Sequence, residues 1–352
     1  MIDARADDPQ DRVELAPGYR VGRLINGCWQ LSEGHGTWSV AGREQALRRL
    51  ETLFDQGRTT FDCADIYTGV EELLGELRRR VVARTGDGDS MQIHTKLVPD
   101  RSALRRVDRA YVERVVDRSL RRLGVERLDL VQFYWWDESV PGCVDACGWL
   151  DDLRSAGKVR LVGVTNFCAR RLLELLDAGL EVSTVQVQYS LLDRRPERTL
   201  VELALERRIA LLCYGTLAGG LLADRFVGAE APSSDENRSQ TKYRLVIEEA
   251  GGWTALQDLL GRLERIASKH GVDVAEVATR WVLERPAVAS AIVGMSPRGS
   301  GAMHALAVVL DEEDLDLLAG ASLRELPGDI YELECDPSSR HAAIMRYDLN
   351  RV

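Results

Sequence analysis

The chain has 352 residues, 45% of them hydrophobic and 29% charged, and a formal net charge of −10. This is a globular composition, long enough for one α/β barrel or two smaller domains, and its acidity argues against a nucleic-acid partner, since phosphate contacts need a basic face. No apolar run approaches the ~20 residues that cross a bilayer. The stretch from Met1 to Asp8 is polar and lacks a signal-peptide core. Seven scattered cysteines with no CxxC pair fit a reduced, cytoplasmic chain better than a disulfide framework or a zinc site.

Strand-like and helix-like stretches alternate from residue 19 onward. The pattern predicts strands over 19–26, 59–63, 91–97, 128–134, 159–165, 184–188, 209–214 and 288–293. Helices are expected over 43–56, 71–83, 111–123, 144–155, 170–178 and 198–206. Two more, 254–270 and 274–284, precede the eighth strand, and one over 302–309 follows it. Eight β/α repeats point to an α/β fold, a closed (β/α)8 TIM barrel. An open doubly wound sheet would want a glycine-rich fingerprint after the first strand, which Gly22, Gly27, Gly34 and Gly36 do not supply. The chain, 1–352, reads as one domain with its barrel core over about 20–320. The insert 218–252 has a Pro/Ser-rich middle that reads as a mobile, lid-like loop. The C-terminal extension, 326–352, is expected to fold back over the same face.

Barrel strands converge at their C-terminal ends, and inward strand positions are ordinarily Val, Ile or Leu. Here polar residues collect at those ends: Asp62, Lys96, Tyr134, Thr165 with Asn166, Gln186 with Gln188, and Tyr214. Tyr67 follows Asp62 by five positions. A free phenol has a pKa of about 10. An ammonium against it stabilises the phenolate, so Lys96, held charged by Asp62, is expected to lower Tyr67 until it exchanges a proton near neutrality. Tyr67 can then protonate a carbonyl oxygen while hydride reaches its carbon, and hydride must come from a cofactor, because no side chain supplies one. Thr165, Asn166 and Gln186 suit a nicotinamide carboxamide, and Tyr214 can stack on its ring. Trp29, Trp135, Trp136 and Trp253 are candidate pocket walls, with Trp29 and Trp135 foremost, for an apolar or cyclic substrate. His94 faces the same way as Lys96 and reads as an interior histidine; His35 reads as a loop residue.

These segments resemble the aldo-keto reductase family. Phe61-Asp62-Cys63-Ala64-Asp65-Ile66-Tyr67, with Glu71, Glu72, Leu74 and Gly75 downstream, resembles the signature around its aspartate and tyrosine, and Thr95-Lys96 its lysine motif. Leu128-Asp129-Leu130-Val131-Gln132-Phe133-Tyr134-Trp135 resembles its fourth-strand motif. Gly163-Val164-Thr165-Asn166-Phe167 and Val185-Gln186-Val187-Gln188-Tyr189-Ser190 resemble its carboxamide-binding segments. Tyr214-Gly215-Thr216-Leu217 through Leu221 resembles its stacking tyrosine and pyrophosphate loop. The resemblance implies a barrel that reduces a small-molecule carbonyl without metal, using NADPH, with NADH as the alternative. It implies Asp62, Tyr67, Lys96 and Tyr134 as the catalytic set. It implies cofactor contacts from Gly27, Cys28, Thr165, Asn166, Gln186, Tyr214, Gly215, Leu217, Gly294, Ser296, Arg298 and His304.

The chain departs from the family pattern in two places. Histidine usually stands where Tyr134 does; the tyrosine hydroxyl can donate a hydrogen bond but cannot become cationic. After the eighth strand, Ser300 falls where an arginine is common and His304 where an asparagine is, leaving Arg298 as the nearby cation for a 2′-phosphate. Two further readings stay open: a redox-neutral dehydratase, cyclase or epimerase on the same scaffold, and a nucleotide-binding regulatory subunit of the kind found with potassium channels. No oligomeric state is assigned from the sequence.

Overall fold

The computed structural model describes residues 11–32, 40–295, 302–345 and 349. Strands β1 (Arg12–Ala16) and β2 (Tyr19–Gly22) pair antiparallel as a hairpin. The strands that follow are β3 (Leu24–Gly27), β4 (Thr60–Asp62), β5 (Gln92–Leu97), β6 (Leu128–Phe133), β7 (Val159–Thr165), β8 (Thr184–Gln188), β9 (Ala210–Tyr214) and β10 (Val288–Gly294). They close into a barrel in the order β10-β3-β4-β5-β6-β7-β8-β9, parallel in each registered pair. The expected (β/α)8 architecture is the one the chain adopts.

Helices α1 (Val40–Asp55), α2 (Val70–Thr85), α3 (Arg109–Leu123), α4 (Cys143–Ser155), α5 (Ala169–Asp177) and α6 (Leu200–Arg207) connect successive strands. Helix α3 illustrates why these segments are helical. Asp108 caps it by accepting from Tyr111 N at 2.7 Å, and Gly124 ends it in the left-handed conformation. Val112, Val115, Val116 and Leu123 fall on one buried stripe, and each such side chain contributes about 1.5–3 kcal/mol on burial.

By its internal packing the chain divides into two compact units, one reaching Gln186 and including Leu349, the other running from Val187 to Met345. In the first unit, the segment expected as one strand over 19–26 is two strands with different partners. Tyr19–Gly22 belongs to the hairpin; Leu24–Gly27 is the barrel strand, in register with β4 through Asn26–Phe61 and Gly27–Asp62. The hairpin seals the N-terminal ends of β4 and β5. Arg12 donates to Thr59 Oγ1 (2.9 Å) and Gln92 Oε1 (3.0 Å), and the Tyr19 hydroxyl sits 3.0 Å from His94 Nε2. Gly163 is dictated by close approach: a β-carbon there would collide with Thr184 Oγ1 on the neighbouring strand.

In the second unit, α7 (Arg238–Glu249) corrects the loop reading of the insert. Asn237 caps it, accepting from Gln240 N at 3.0 Å, and Tyr243, Leu245, Val246 and Ile247 are buried. Helices α8 (Gly252–His270) and α9 (Val274–Leu283) precede β10. The helix expected over 302–309 is only a 3-10 turn, Ala305–Ala307, ahead of α10 (Glu312–Ala319). The extension carries α11 (Glu332–Cys335) and α12 (Arg340–Ala343) and is anchored by charge. Arg195 forks onto Asp193 (2.9 and 2.8 Å) and reaches Glu334 (3.2 and 3.3 Å), all buried. The Tyr331 hydroxyl accepts from Gln188 N at 2.8 Å. Among the described residues no helix is long and apolar enough to cross a membrane.

Candidate active site

Asp62 ends β4 in register with His94, and Lys96 lies two residues further along β5. The period of two therefore turns His94 and Lys96 to the same face as Asp62. Lys96 Nζ donates to Asp62 Oδ2 and to the carbonyl of Cys63, each at 2.7 Å. The other carboxylate oxygen, Oδ1, accepts Gln186 Nε2 at 2.6 Å and Gln132 Nε2 at 3.0 Å. All four side chains are buried. Burial alone pulls the Lys96 ammonium down, but Asp62, with Tyr67 and Cys63, outweighs it and the net shift is upward. Lys96 stays charged.

Tyr67 faces Lys96, whose Nζ lies over its ring, 5.3 Å from the centroid. Here the expectation of a near-neutral phenol is corrected. Burial pushes Tyr67 up to about 12; Lys96 pulls it down, while Asp62, Cys63 and Cys28 add to the rise. Desolvation outweighs the ammonium because the phenolate would be taken out of water. Trp29 meets the Tyr67 ring edge-on, with centroids 4.9 Å apart.

Tyr134 extends the β5–β6 ladder, donating its N–H to Leu97 O at 3.0 Å. It follows Gln132 by two positions and so shares its face. Its ring is T-stacked on Trp136 at 4.6 Å. Trp135 points the other way: its Nε1 donates to Val140 O at 3.0 Å and its ring packs near Phe133. Trp136, not Trp135, is thus the aromatic neighbour of Tyr134. His94 is an interior residue whose Nε2 meets the Tyr19 hydroxyl while its buried Nδ1 has no hydrogen-bond partner among the described residues, and burial keeps it neutral by drawing it down to about 4.

Of the cofactor candidates in the first unit, Thr165 Oγ1 donates to Gln186 Oε1 at 3.3 Å. Asn166 holds a left-handed backbone (φ 58°) and gives its N–H to Gln186 O at 3.0 Å. Gly27 pairs with Asp62. Cys28 N donates to Asp62 O at 2.9 Å, and its thiol is fully buried beside the acid–base set. In the second unit, Tyr214 presents its hydroxyl to Tyr331 at 3.3 Å, and Lys242 Nζ is 5.5 Å from its ring. Gly215 has φ 75°, and a β-carbon there would collide with the Tyr243 hydroxyl. Leu217 opens the turn Ala218–Gly220. Gly294 ends β10, and His304 Nδ1 lies 2.9 Å from Glu276 Oε1 with its ring largely exposed. His35, Ser296, Arg298 and Ser300 lie outside the described residues.

Two elements of the site escaped the sequence reading. One is Gln132, whose only signal is that it is the polar residue two before Tyr134, between Val131 and Phe133. Its Oε1 is buried with no hydrogen-bond partner among the described residues, an arrangement that costs about 1–3 kcal/mol. The other is the frame behind the Tyr67 turn. Asp65 Oδ1 accepts Val98 N, and Arg122 reaches both Asp65 O and Glu71 Oε2 at 3.2 Å. Thr95 Oγ1 donates to Glu71 Oε1 at 2.7 Å. Burial, then Glu71, pushes the Asp65 carboxyl well up.

A profile described as the Aldo/keto reductase family matches residues 23–322. Aldo-keto reductase YhdN of Bacillus subtilis is 27% identical over 313 residues, covering 84% of this chain and 88% of that protein. Among solved structures, glycerol dehydrogenase AKR11B4 from Gluconobacter oxydans superposes with a TM-score of 0.74 at 23% identity, covering 92% and 98% of the two chains. An aldo/keto reductase from Klebsiella pneumoniae, in complex with NADP and acetate, gives a TM-score of 0.67 at 22% identity, covering 91% and 98%. The two structural likenesses are likenesses of fold.

Proposed function

The chain belongs to the aldo/keto reductase family, whose members are generally NAD(P)H-dependent carbonyl reductases, and from that premise we propose that it reduces an aldehyde or ketone of a small apolar or cyclic metabolite, with Tyr67 giving the proton. The observation that carries this reading is the pinned ammonium: Lys96 Nζ at 2.7 Å from both Asp62 Oδ2 and Cys63 O, and 5.3 Å from the Tyr67 ring.

The nicotinamide, when bound, supplies the hydride. A carboxamide fits the amide and hydroxyl set at Thr165, Asn166 and Gln186. Gln186 Oε1 keeps a lone pair beyond its 3.3 Å bond from Thr165, and Asn166 brings both a donor and an acceptor. Tyr214, Gly215, Leu217, Gly294, Ser296, Arg298 and His304 are assigned to the rest of the dinucleotide by family resemblance. NADPH is the first choice, since the Klebsiella relative is seen with NADP; NADH is its competitor.

Tyr67 delivers its proton to the carbonyl oxygen as the carbonyl carbon accepts hydride, so the C=O π bond becomes one C–H and one O–H. Lys96 steadies the phenolate left behind, and Asp62 holds Lys96. Tyr134 donates a hydrogen bond to the same oxygen, while Trp29, edge-on to Tyr67, bounds the substrate side; Trp135, turned away onto Val140 and Phe133, is not a wall of it. A cytoplasmic location agrees with the buried free thiols of Cys28, Cys63, Cys143, Cys147 and Cys213.

The test is a carbonyl panel run with C4-deuterated NADPH or NADH. Deuterium at the carbinol carbon of the product supports reduction. Turnover to an unlabelled product, with the cofactor unconsumed, supports instead a redox-neutral reaction, for which the tyrosine at position 134 is the motivating observation.

A further inference from the structure

Asp62 is more heavily hydrogen-bonded than an anchor for one lysine requires. Its Oδ2 serves Lys96, while Oδ1 takes two amide donors, Gln132 Nε2 at 3.0 Å and Gln186 Nε2 at 2.6 Å. Gln132 is fully buried and leaves its own Oε1 without a partner among the described residues. Turning the amide over would set that oxygen against the carboxylate, so the donor contact holds the amide in place even though its acceptor goes unsatisfied. Gln132 also lies two residues before Tyr134 on the same strand face, beneath the substrate side of the site.

We propose that Gln132 is a positioning residue that, with Gln186, holds the Asp62 carboxylate by its Oδ1 edge and so leaves more of the Lys96 charge to act on Tyr67. The inference rests on the acid–base reading above. Two N–H donors spread part of the carboxylate's charge away from Oδ2. Asp62 works against ionisation of Tyr67, and Lys96 works for it. Whatever weakens Asp62 as an anion therefore strengthens Lys96 as an electrostatic aid to the phenolate. The charged and titratable groups facing Tyr67 are Lys96 on β5, Asp62 on β4, Cys63 after it and Cys28 after β3; His94, next to Asp62, is held neutral by burial. Gln186 is also bonded by Thr165, whereas the side-chain hydrogen bond found for Gln132 among the described residues is the one to Asp62.

The experiment compares wild type, Gln132→Leu and Gln132→Glu by two readouts: a titration of Tyr67 by 13C-tyrosine NMR, its resonance assigned with Tyr67→Phe, and the pH profile of alcohol oxidation, which consumes the phenolate. Gln132→Leu should move both toward higher pH by roughly 0.5–1 unit, with nucleotide affinity unchanged. Gln132→Glu, near-isosteric, sets a second carboxylate against Asp62 in place of an amide donor and should move both readouts toward higher pH at least as far as Gln132→Leu does. A Gln132→Leu enzyme slower by the same factor at every pH, with an unmoved Tyr67 resonance, overturns the proposal and leaves a packing role. If Tyr67→Phe keeps full turnover yet the resonance still moves in Gln132→Leu, the catalytic reading fails and the electrostatic role of Gln132 stands.

Discussion

Gln186, the middle residue of β8, gives its side-chain amide to Asp62 Oδ1 at 2.6 Å, although family resemblance proposes it as a carboxamide ligand. One amide thus joins the nicotinamide candidates to the acid–base candidates. Its nitrogen is committed to Asp62, which leaves its oxygen, already shared with Thr165, as the part that can meet a ligand. Gln186→Leu is therefore expected to weaken nucleotide binding and to lower turnover at saturating nucleotide. Fluorescence titration and steady-state kinetics measure the two effects; a variant affected in binding alone separates the roles.

The Tyr67 phenol, pushed up to about 12, sets the sign of the pH dependence. Carbonyl reduction uses the protonated phenol, the dominant form below that value, so its rate should be flat across the neutral range. Alcohol oxidation uses the phenolate and should rise by about tenfold per pH unit while still below the phenol's pKa. Rates in both directions against pH check this; an oxidation rate that levels off near pH 7 contradicts it.

His94 predicts an acid instability. Burial draws its imidazole to about 4, against about 6.5 in an unfolded chain. Between those values the unfolded chain binds a proton that the folded one does not, so stability falls as pH drops through the window. The full loss is on the order of 3 kcal/mol. Urea midpoints at several pH values should show His94→Asn losing less than the wild type between pH 7 and 4; parallel curves would exclude the histidine.

The buried Lys96–Asp62 pair predicts non-additivity. Lys96→Met leaves a buried carboxylate without its cation and should cost about 3–5 kcal/mol in urea unfolding. Asp62→Asn in the same chain removes that charge, so the double variant should be less destabilised than the sum of the singles. Additive losses would mean that the two groups act separately.

Much of this was legible because barrel strands are short apolar runs between amphipathic helices, a pattern carried by local sequence. The signature around Asp62 and Tyr67 likewise sits within a few residues. What was not legible depended on partners. Tyr19–Gly22 and Leu24–Gly27 read as one strand because a single residue, Arg23, separates two segments that pair with different neighbours. Helix α7 is polar enough to pass for loop, and its burial is set by packing. Gln132 is one polar residue in a strand, and only contact with Asp62, 70 positions away, gives it meaning. The acidity of Tyr67 was misjudged in sign because the sequence names the ammonium but not the depth of burial.

Tyr134 predicts a hydroxyl effect. Tyr134→Phe keeps the packing on Trp136 but removes the donor, and kcat/KM for carbonyls should fall about tenfold with nucleotide affinity unchanged. Unaltered kinetics would reduce Tyr134 to a wall of the pocket.

The most direct measurement is the kcat of Tyr67→Phe on the best carbonyl substrate, beside a fluorescence titration of the same variant with NADPH. The account predicts a fall of about 10²- to 10⁴-fold in kcat with nucleotide affinity nearly intact. Undiminished turnover in the phenylalanine variant would contradict it.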